Sequence, residues 1–273
     1  MRIDGQIWQS WLVLAIVGPW CAVSAVRYTA ASWSGTTQIA IGISLGFALV
    51  VLVARAATPA GALTGGIITA VLTLGGPAWY RSALPALLAL FVLTWCATRF
   101  GHGKKERLGV AEDKRGRNAA QIAANLGVAG LAATIVLTHG RWGAVVVLAA
   151  LAEATADTLA SELGEVLGGS PLLLTTLRRV PAGTDGAISL AGTVAGITGA
   201  AVVVLVGAAT LGLRLSDTLT AGFAGICGLF ADSLFGATAE RTGHLNNDAV
   251  NFLSTLVASV IAAMILVVSP LTK

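Results

Sequence analysis

The sequence of 273 residues has few charged residues, since Asp, Glu, Lys and Arg together make up only 11% of it. Ordinary soluble domains carry roughly 25%. Hydrophobic residues make up 56%, and apolar runs recur at about the 20-residue length that a helix needs to cross a hydrocarbon layer of roughly 30 Å. The sequence therefore predicts an all-α, polytopic transmembrane helix bundle. The net charge of +4 is interpreted as a topology signal, and no nucleic acid is expected as a partner.

Cysteine and several familiar catalytic motifs are also scarce or missing. Cys21, Cys96 and Cys227 lie inside apolar segments without a C-x-x-C pair or metal-ligand spacing, which indicates buried structural thiols. The sequence lacks a P-loop, a kinase glycine-rich loop with its H-R-D motif, and H-E-x-x-H. A nucleotide would therefore be bound outside the common soluble folds. The first apolar run begins at Ile7 without an A-x-A cleavage site, so it is expected to remain as a helix.

Breaks between the apolar runs predict about nine transmembrane helices. Lys and Arg fall unevenly on alternate loops, twelve against five, which predicts a cytoplasmic N-terminus and an outside C-terminus. The glycine-rich third run is the one expected to tilt, break or re-enter. The predicted helices cover residues 7–26, 37–54, 61–79, 83–98, 119–138, 142–165, 187–210, 218–239 and 248–268.

A long polar loop, residues 99–118, divides the chain into two parts of different character. The four helices predicted within residues 1–98 contain no acidic residue, which suits helix packing and lipid contact. Every later span carries Asn, Asp, Glu or a small hydroxyl near its predicted cytoplasmic end. We therefore expect residues 1–98 to be a packing region, 99–118 a cytoplasmic basic loop, and 119–273 the catalytic bundle.

The most unusual stretch is the apolar run 151–169, because it contains four acidic residues. A carboxylate near the bilayer centre costs roughly 3 kcal/mol or more, so such residues usually bind ions or take part in catalysis. The tetrapeptide around Asp157 (Ala-Asp-Thr-Leu) is echoed around Asp232 (Ala-Asp-Ser-Leu), which predicts a weak internal repeat of helices six and seven in helices eight and nine. Glu153 and Asp157 share one helical stripe, whereas Glu162 points elsewhere on an ideal helix.

Amides, hydroxyls and arginines accompany these acids. Three amides at the start of helix five share an arc of about 60°, a pattern typical of either ligand binding or hydrogen bonding between helices. The segment 178–186 has two arginines before a glycine turn, and it is expected to open helix seven at Ala187 with Ser189 in its first turn. That segment is either an anion site at a helix N-terminus or a plain turn.

Five helices thus direct polar side chains to one membrane depth, a convergence typical of phosphoryl transfer at a membrane surface. Oxygen ligands suit Mg²⁺, which keeps several waters and bridges to phosphates, and arginines suit the phosphates themselves. The predicted metal ligands are Asp157, Asp232, Glu153 and Glu162, of which Asp157, Asp232 and Glu162 are also the predicted catalytic residues. The predicted substrate and phosphate contacts are Arg115, Arg117, Asn118, Gln121, Asn125, Arg178, Arg179, Thr184, Ser189, Ser233, Asn247 and Asn251.

Five short motifs occur in order along this part of the chain: GRN-x2-Q-x3-N (116–125), ADT-x-ASE-x-G (156–164), VP-x-GT-x-G-x-ISL-x-G (180–192), G-x3-DS-x2-GA (228–237) and NN-x2-VN (246–251). With them, the chain resembles the integral membrane family catalogued as domain of unknown function 92, which includes the phytyl-phosphate kinases and transmembrane protein 19. The resemblance covers about residues 40–270.

The resemblance implies transfer of a phosphoryl group to an isoprenoid monophosphate such as phytyl phosphate, giving the diphosphate. CTP is the expected donor and ATP the alternative. It also implies a role in prenylquinone or tocopherol biosynthesis. The topology predicted from the loop charges places the active site at the cytoplasmic face, in a bacterial-type inner membrane or an organellar membrane.

Two other functions fit parts of the same pattern. A transporter or flippase for an anionic lipid or small ion would also have acids inside the membrane and a repeated Asp motif. A CDP-alcohol synthase would share the metal and phosphate chemistry but release pyrophosphate.

Overall fold

The computed structural model describes residues 6–111 and 115–268, except for the side chains of residues 136–138. The predicted orientation of the termini concerns residues 1–5 and 269–273, which lie outside the described residues, as does Lys114 of the predicted basic loop. The described helices are α1 (Ile7–Ala31), α2 (Gly35–Val53), α3 (Pro59–Leu74), α4 (Leu84–Arg99), α5 (His102–Leu108), α6 (Ala119–His139), α7 (Arg141–Leu167), α8 (Leu190–Leu211), α9 (Leu215–Phe235) and α10 (Asn247–Val268).

The architecture is an all-α bundle, as the apolar runs predict. Six of the described helices are long and apolar enough to span a membrane, and α4 with α5 forms a seventh candidate that is bent by 62°. The helix α3 and the stretch Ala119–Ile135 of α6 are apolar but shorter. Each of the nine predicted helices has a counterpart among the described residues, so the polytopic interpretation is confirmed.

The long helices run up and down alternately through the bundle. This is seen from the contacts between their ends, which form two separate groups. At one end, Gln9 of α1 donates to the carbonyl of His244 just before α10, at 2.8 Å. At the other end, Arg141 of α7 forms an ion pair with Asp217 of α9 at 3.4 Å. We call the first group the polar end: the starts of α1, α3, α6, α8 and α10 and the ends of α2, α4, α7 and α9.

The central helix of the bundle is α7. In its most apolar stretch of 18 residues, 89% of the residues are buried. Its neighbour α8 approaches closely because α8 carries glycines on the shared face: a Cβ at Gly192 would lie 2.5 Å from the Ala160 carbonyl oxygen, and one at Gly196 would lie 2.6 Å from that of Ala156. Small residues allow this backbone contact in membrane bundles. The helix predicted for residues 142–165, which carries the acidic residues, is therefore at the core of the protein.

Two local elements differ from the sequence-based expectation. The predicted loop 99–118 contains the short helix α5. The helix α8 begins at Leu190 rather than at Ala187, because Ser189 is extended and caps the helix by accepting from the Gly192 N–H at 3.1 Å. Residues Ala187–Ile188 instead form β2, which pairs antiparallel with β1 (Leu172–Leu173).

Two sequence features in the outer helices have a plain structural explanation. The string Gly42-Ile43-Ser44-Leu45-Gly46 has the spacing of a hydrolase nucleophile elbow, but it lies in the middle of α2. Ser44 donates to the Ala40 carbonyl there at 2.8 Å, whereas an elbow needs a strand-to-helix turn.

The expectation of buried thiols is confirmed only for Cys21, since Cys96 is exposed and Cys227 is half-buried.

Candidate active site

A cavity of about 490 Å³ opens at the polar end and reaches down between α6, α7, α9 and α10, with the segment 182–189 along its rim. Most of the polar residues expected from the sequence meet there, although they come from positions more than 100 residues apart. The predicted site residues that line the cavity are Arg117, Gln121, Asn125, Asp157, Glu162, Thr184, Ser189, Asp232, Ser233, Asn247 and Asn251.

The two aspartates of the repeated motif face each other in this cavity. Asp157 on α7 and Asp232 on α9 both line the cavity, and their carboxyl groups interact electrostatically. Ser254 of α10 donates to Asp232 Oδ2 at 3.2 Å. Two carboxylates close together repel each other unless a proton or a cation lies between them. The predicted pairing of Asp157 with Asp232 is therefore a real juxtaposition in the fold.

Glu153 lies one helical turn from Asp157 toward the interior of the bundle, beneath the two aspartates. It is only 1% exposed, and its Oε1 atom has no hydrogen-bond partner among the described residues. A buried polar oxygen without a partner is costly and calls for an explanation such as a bound ion. The facing aspartates and this orphaned oxygen are donors of the kind that a hard divalent cation prefers.

The close approach of α9 to α7 depends on glycine. A Cβ at Gly228 would lie 2.5 Å from Glu153 Cγ and 2.9 Å from Ala258 Cβ. A Cβ at Gly225, one turn earlier, would lie 2.7 Å from Ala152 Cβ. Only a residue without a side chain fits at these contacts, so the glycines bring the two aspartates together.

Arg117 is held in place by the start of α3. Its backbone N–H donates to the Ala56 carbonyl and its own carbonyl accepts from the Thr58 N–H, both at 3.0 Å. The adjacent Gly116 has a φ of +74°, and a Cβ there would lie 2.5 Å from the Ala56 carbonyl carbon. The guanidinium group interacts electrostatically with Asp157. The N-terminal part of the chain thus positions an arginine of the site.

Glu162 also lines the cavity, but both of its carboxylate oxygens have protein partners. Thr98 of α4 donates to Oε1 at 2.9 Å, and the fully buried Lys105 of α5 forms an ion pair with Oε2. The Lys105 Nζ also donates to the carbonyls of Ala97 at 2.8 Å and Thr98 at 3.2 Å. In this arrangement Glu162 joins α4, α5 and α7.

The rim of the cavity rests on a π-helical segment, Gly236–Glu240, which follows α9. Gly186 has a φ of +72°, and a Cβ there would collide with the backbone of Ala237. A Cβ at Gly236 would in turn lie 2.7 Å from the Gly186 nitrogen. Single π-helical turns inside α-helices often mark functional sites. The contact fixes the glycine turn of residues 183–186 above the aspartates.

Five of the predicted site residues lie outside the cavity lining. Asn118 caps α6, since its Oδ1 accepts from the Gln121 N–H at 3.0 Å and its own N–H donates to Gln121 Oε1 at 2.8 Å. This reciprocal bonding is a capping box. Arg115, Arg178 and Arg179 are exposed, and Glu153 is buried beneath the cavity.

Three acidic residues in the lining were missed in the sequence: Glu165, Asp185 and Glu240. Their signal was their rarity, because any acid is unusual in so apolar a chain. With Asp157, Glu162 and Asp232 they make six carboxyl groups in the lining, against Arg117 as the basic residue found there. Within residues 6–111 and 115–268, no group of three Asp, Glu, His or Cys side chains is arranged so that it could hold a metal ion by itself. Mg²⁺ commonly needs only one or two protein carboxylates, because water and phosphate oxygens complete its coordination.

The comparison with family models identifies the chain. Residues 42–259 match the model described as integral membrane protein DUF92. The chain belongs to this DUF92 family of integral membrane proteins. The matched region contains all five sequence motifs and every cavity-lining residue named above.

Relatives of the chain include two membrane proteins and a chloroplastic protein. An uncharacterised membrane protein of Methanocaldococcus jannaschii is 38% identical over 66% of this chain and 74% of its own length. An uncharacterised membrane protein of Synechocystis is 32% identical over 64% of this chain and 70% of its own length. The chloroplastic protein VTE6 of Arabidopsis thaliana is 30% identical, over 72% of this chain and 63% of VTE6. No solved structure matches the chain significantly.

Proposed function

We propose that the protein is an isoprenoid monophosphate kinase. It transfers the γ-phosphoryl group of a nucleoside triphosphate, with CTP as the expected donor and ATP as the alternative, to a phytyl-type or polyprenyl phosphate. The observation that carries the proposal is the pair of facing aspartates, Asp157 and Asp232, beside Arg117 in an acidic cavity at one end of a membrane bundle. The family membership supports it, because the resemblance of the five motifs to those of the phytyl-phosphate kinases implies phosphoryl transfer to a lipid phosphate.

The charge of the cavity explains why divalent cations belong to the proposal. Five carboxyl groups of the lining, besides Glu162 with its Lys105 partner, would repel the phosphates of two anionic substrates. Mg²⁺ held by Asp157 and Asp232, with Glu153 below, would neutralise the carboxylates and the phosphates together when bound. Arg117 supplies a guanidinium that matches phosphate geometry. The side chains of Asn125, Ser233 and Asn251 supply neutral hydrogen bonds that orient the two substrates.

The chemistry requires little from a general base. A phosphate monoester is already mostly dianionic near neutral pH, because its second pKa is about 6. One of its oxygens attacks the γ-phosphorus of the donor, the bond from that phosphorus to the β-phosphate oxygen breaks, and the nucleoside diphosphate leaves. The residues of the cavity bind and align the two phosphates, which is the main catalytic requirement in phosphoryl transfer.

The test uses purified protein in detergent or nanodiscs with radiolabelled CTP or ATP, Mg²⁺ and geranylgeranyl or phytyl phosphate. We expect a labelled lipid diphosphate from the wild type, and a loss of at least about 100-fold in the Asp157→Asn and Asp232→Asn variants. The matched control is Asp248→Asn on α10, where the carboxyl accepts from Ser10 at 2.5 Å and lies outside the cavity lining. Wild-type protein that forms no diphosphate with either donor would refute the proposal.

A cation or lipid transporter is the second function with a specific observation in its favour. Glu153 lies near the midpoint of α7 (Arg141–Leu167), a depth at which transporters commonly bind ions. Flux of ions or labelled lipid into proteoliposomes without nucleotide would favour transport. Release of pyrophosphate instead of nucleoside diphosphate would indicate a CDP-alcohol synthase.

A further inference from the structure

A second cavity, of about 450 Å³, lies between α2, α3, α4 and α6 and is lined mainly by apolar side chains. Its deep part contains Phe47, Leu87, Leu90 and Phe91, with Leu126 from α6. Cavities of this size and character are typical of small-molecule and lipid sites. The sequence had assigned this part of the chain only to packing, because its helices carry no acids.

The mouth of this second cavity is basic. Arg55, Arg99, His102 and Arg117 line it at the polar end. Arg99 is fixed there, since its guanidinium lies 4.1 Å from the centre of the Trp95 ring and donates to the Ala54 carbonyl at 2.6 Å. A site that is apolar within and basic at its mouth is complementary to an amphiphile with an anionic head and a hydrocarbon tail.

The two cavities share a wall. Arg117 and Asn125 line both of them, and Asn125 is 8% exposed. A ligand whose phosphate contacts Arg117 can therefore reach the acidic cavity with its head while its tail lies among α2, α3 and α4. Along α4 the lining runs from Leu87 at the apolar end to Arg99 at the mouth, a length of roughly 18 Å at 1.5 Å per residue.

We propose that this apolar cavity binds the isoprenoid tail of the lipid monophosphate and that the depth of the cavity, which reaches Leu87 on α4, sets the chain length that the protein accepts. In its lining, the rings of Phe47 on α2 and Phe91 on α4 meet edge to face with centroids 5.2 Å apart. The inference rests on the proposed function for the identity of the head group. It assigns the N-terminal helices a direct role in substrate selection.

Gly65 on α3 provides a variant that fills the cavity. It lies in the lining, and a Cβ there meets only Ile122 Cγ2 at an ordinary 3.8 Å, so a side chain can be added without a backbone clash. The matched control is Gly46 on α2, outside the lining, where a Cβ meets nothing within 4 Å. Gly65→Leu and Gly46→Leu therefore make the same chemical change inside and outside the cavity.

The first measurement is photolabelling, which needs no turnover. The probe is a geranylgeranyl phosphate with a diazirine in the tail, and the labelled peptides are identified by mass spectrometry. We expect labels on α2, α3 and α4, a loss of about tenfold in Gly65→Leu, and no loss in Gly46→Leu. Labels elsewhere, equal labelling of the two variants, or equal competition by phosphatidic acid would overturn the inference. If Gly65→Leu does not fold, Ala62→Phe in the same lining is used instead.

The second measurement compares a C20 acceptor with dimethylallyl phosphate, whose tail is too short to fill the cavity. In Gly65→Leu the KM for the C20 acceptor is expected to rise about tenfold, with no change for the short acceptor or for the nucleotide. Labelling at α2–α4 without diphosphate formation would refute the kinase proposal alone. Diphosphate formation with an unchanged C20 KM in Gly65→Leu would refute the tail site alone.

Discussion

Replacing Lys105 by methionine tests whether the buried ion pair with Glu162 joins α5 and α4 to the central helix. Lys105 is 0% exposed and donates to two carbonyls besides the carboxylate. Removing one partner of a buried pair typically costs about 3–5 kcal/mol, because the other charge stays buried without compensation. The Glu162 side chain is 13% exposed and keeps its bond from Thr98, so we expect the lower end, about 3 kcal/mol.

A loss of this size lowers the melting temperature of a chain of this length by about 6 to 12 °C. The assay is thermal unfolding of the purified protein in one detergent, followed by intrinsic fluorescence. The double variant Lys105→Met with Glu162→Gln should recover part of the loss, because no uncompensated charge remains. Lys104→Met is the control: Lys104 is exposed and donates to the Val166 carbonyl at 2.6 Å, and its loss should change the melting temperature by no more than about 2 °C.

Two outcomes would refute this reasoning. A Lys105→Met variant that melts within 2 °C of the wild type would mean that the pair contributes little. A double variant that melts below the single variant would mean that the carboxylate, rather than its pairing, stabilises the contact.

Two further predictions concern the geometry around Arg117 and Asp232. Gly116→Ala should raise the KM for the lipid phosphate, because a Cβ at this position pushes against the residues just before α3 and displaces Arg117. The control in the same kinetic assay is Gly109→Ala. Gly109 has a similar φ of +73° and a Cβ there would meet nothing within 4 Å, so the KM should stay unchanged. Ser254→Ala removes the hydrogen bond to Asp232 and should lower kcat/KM by about 10- to 100-fold, the equivalent of about 1.5–3 kcal/mol for a bond to a charged group. A Ser254→Ala variant with wild-type kcat/KM would show that this bond has no role in turnover.

The residues of the sequence predicted much of the site because acids and amides are so rare in an apolar chain. Asp157 and Asp232 were paired from two short echoing tetrapeptides, and the structure places both in the lining of one cavity. Helical periodicity also grouped Asn125 with the other amides of its helix, and Asn125 lines the cavity. It was less informative for Asn118, because a residue at a helix start can serve either a ligand or the backbone, and here it caps α6.

The sequence by itself determined that this is a membrane bundle, since no soluble fold needs so many long apolar runs, and it determined which side chains are polar enough to form a site. Only the tertiary structure decided how these groups are used. Glu162 has both oxygens on Thr98 and Lys105, a pairing between residues that local periodicity does not relate. The apolar cavity among α2, α3 and α4 likewise exists only where side chains from distant segments leave space unfilled, a property of packing that no single segment of sequence encodes.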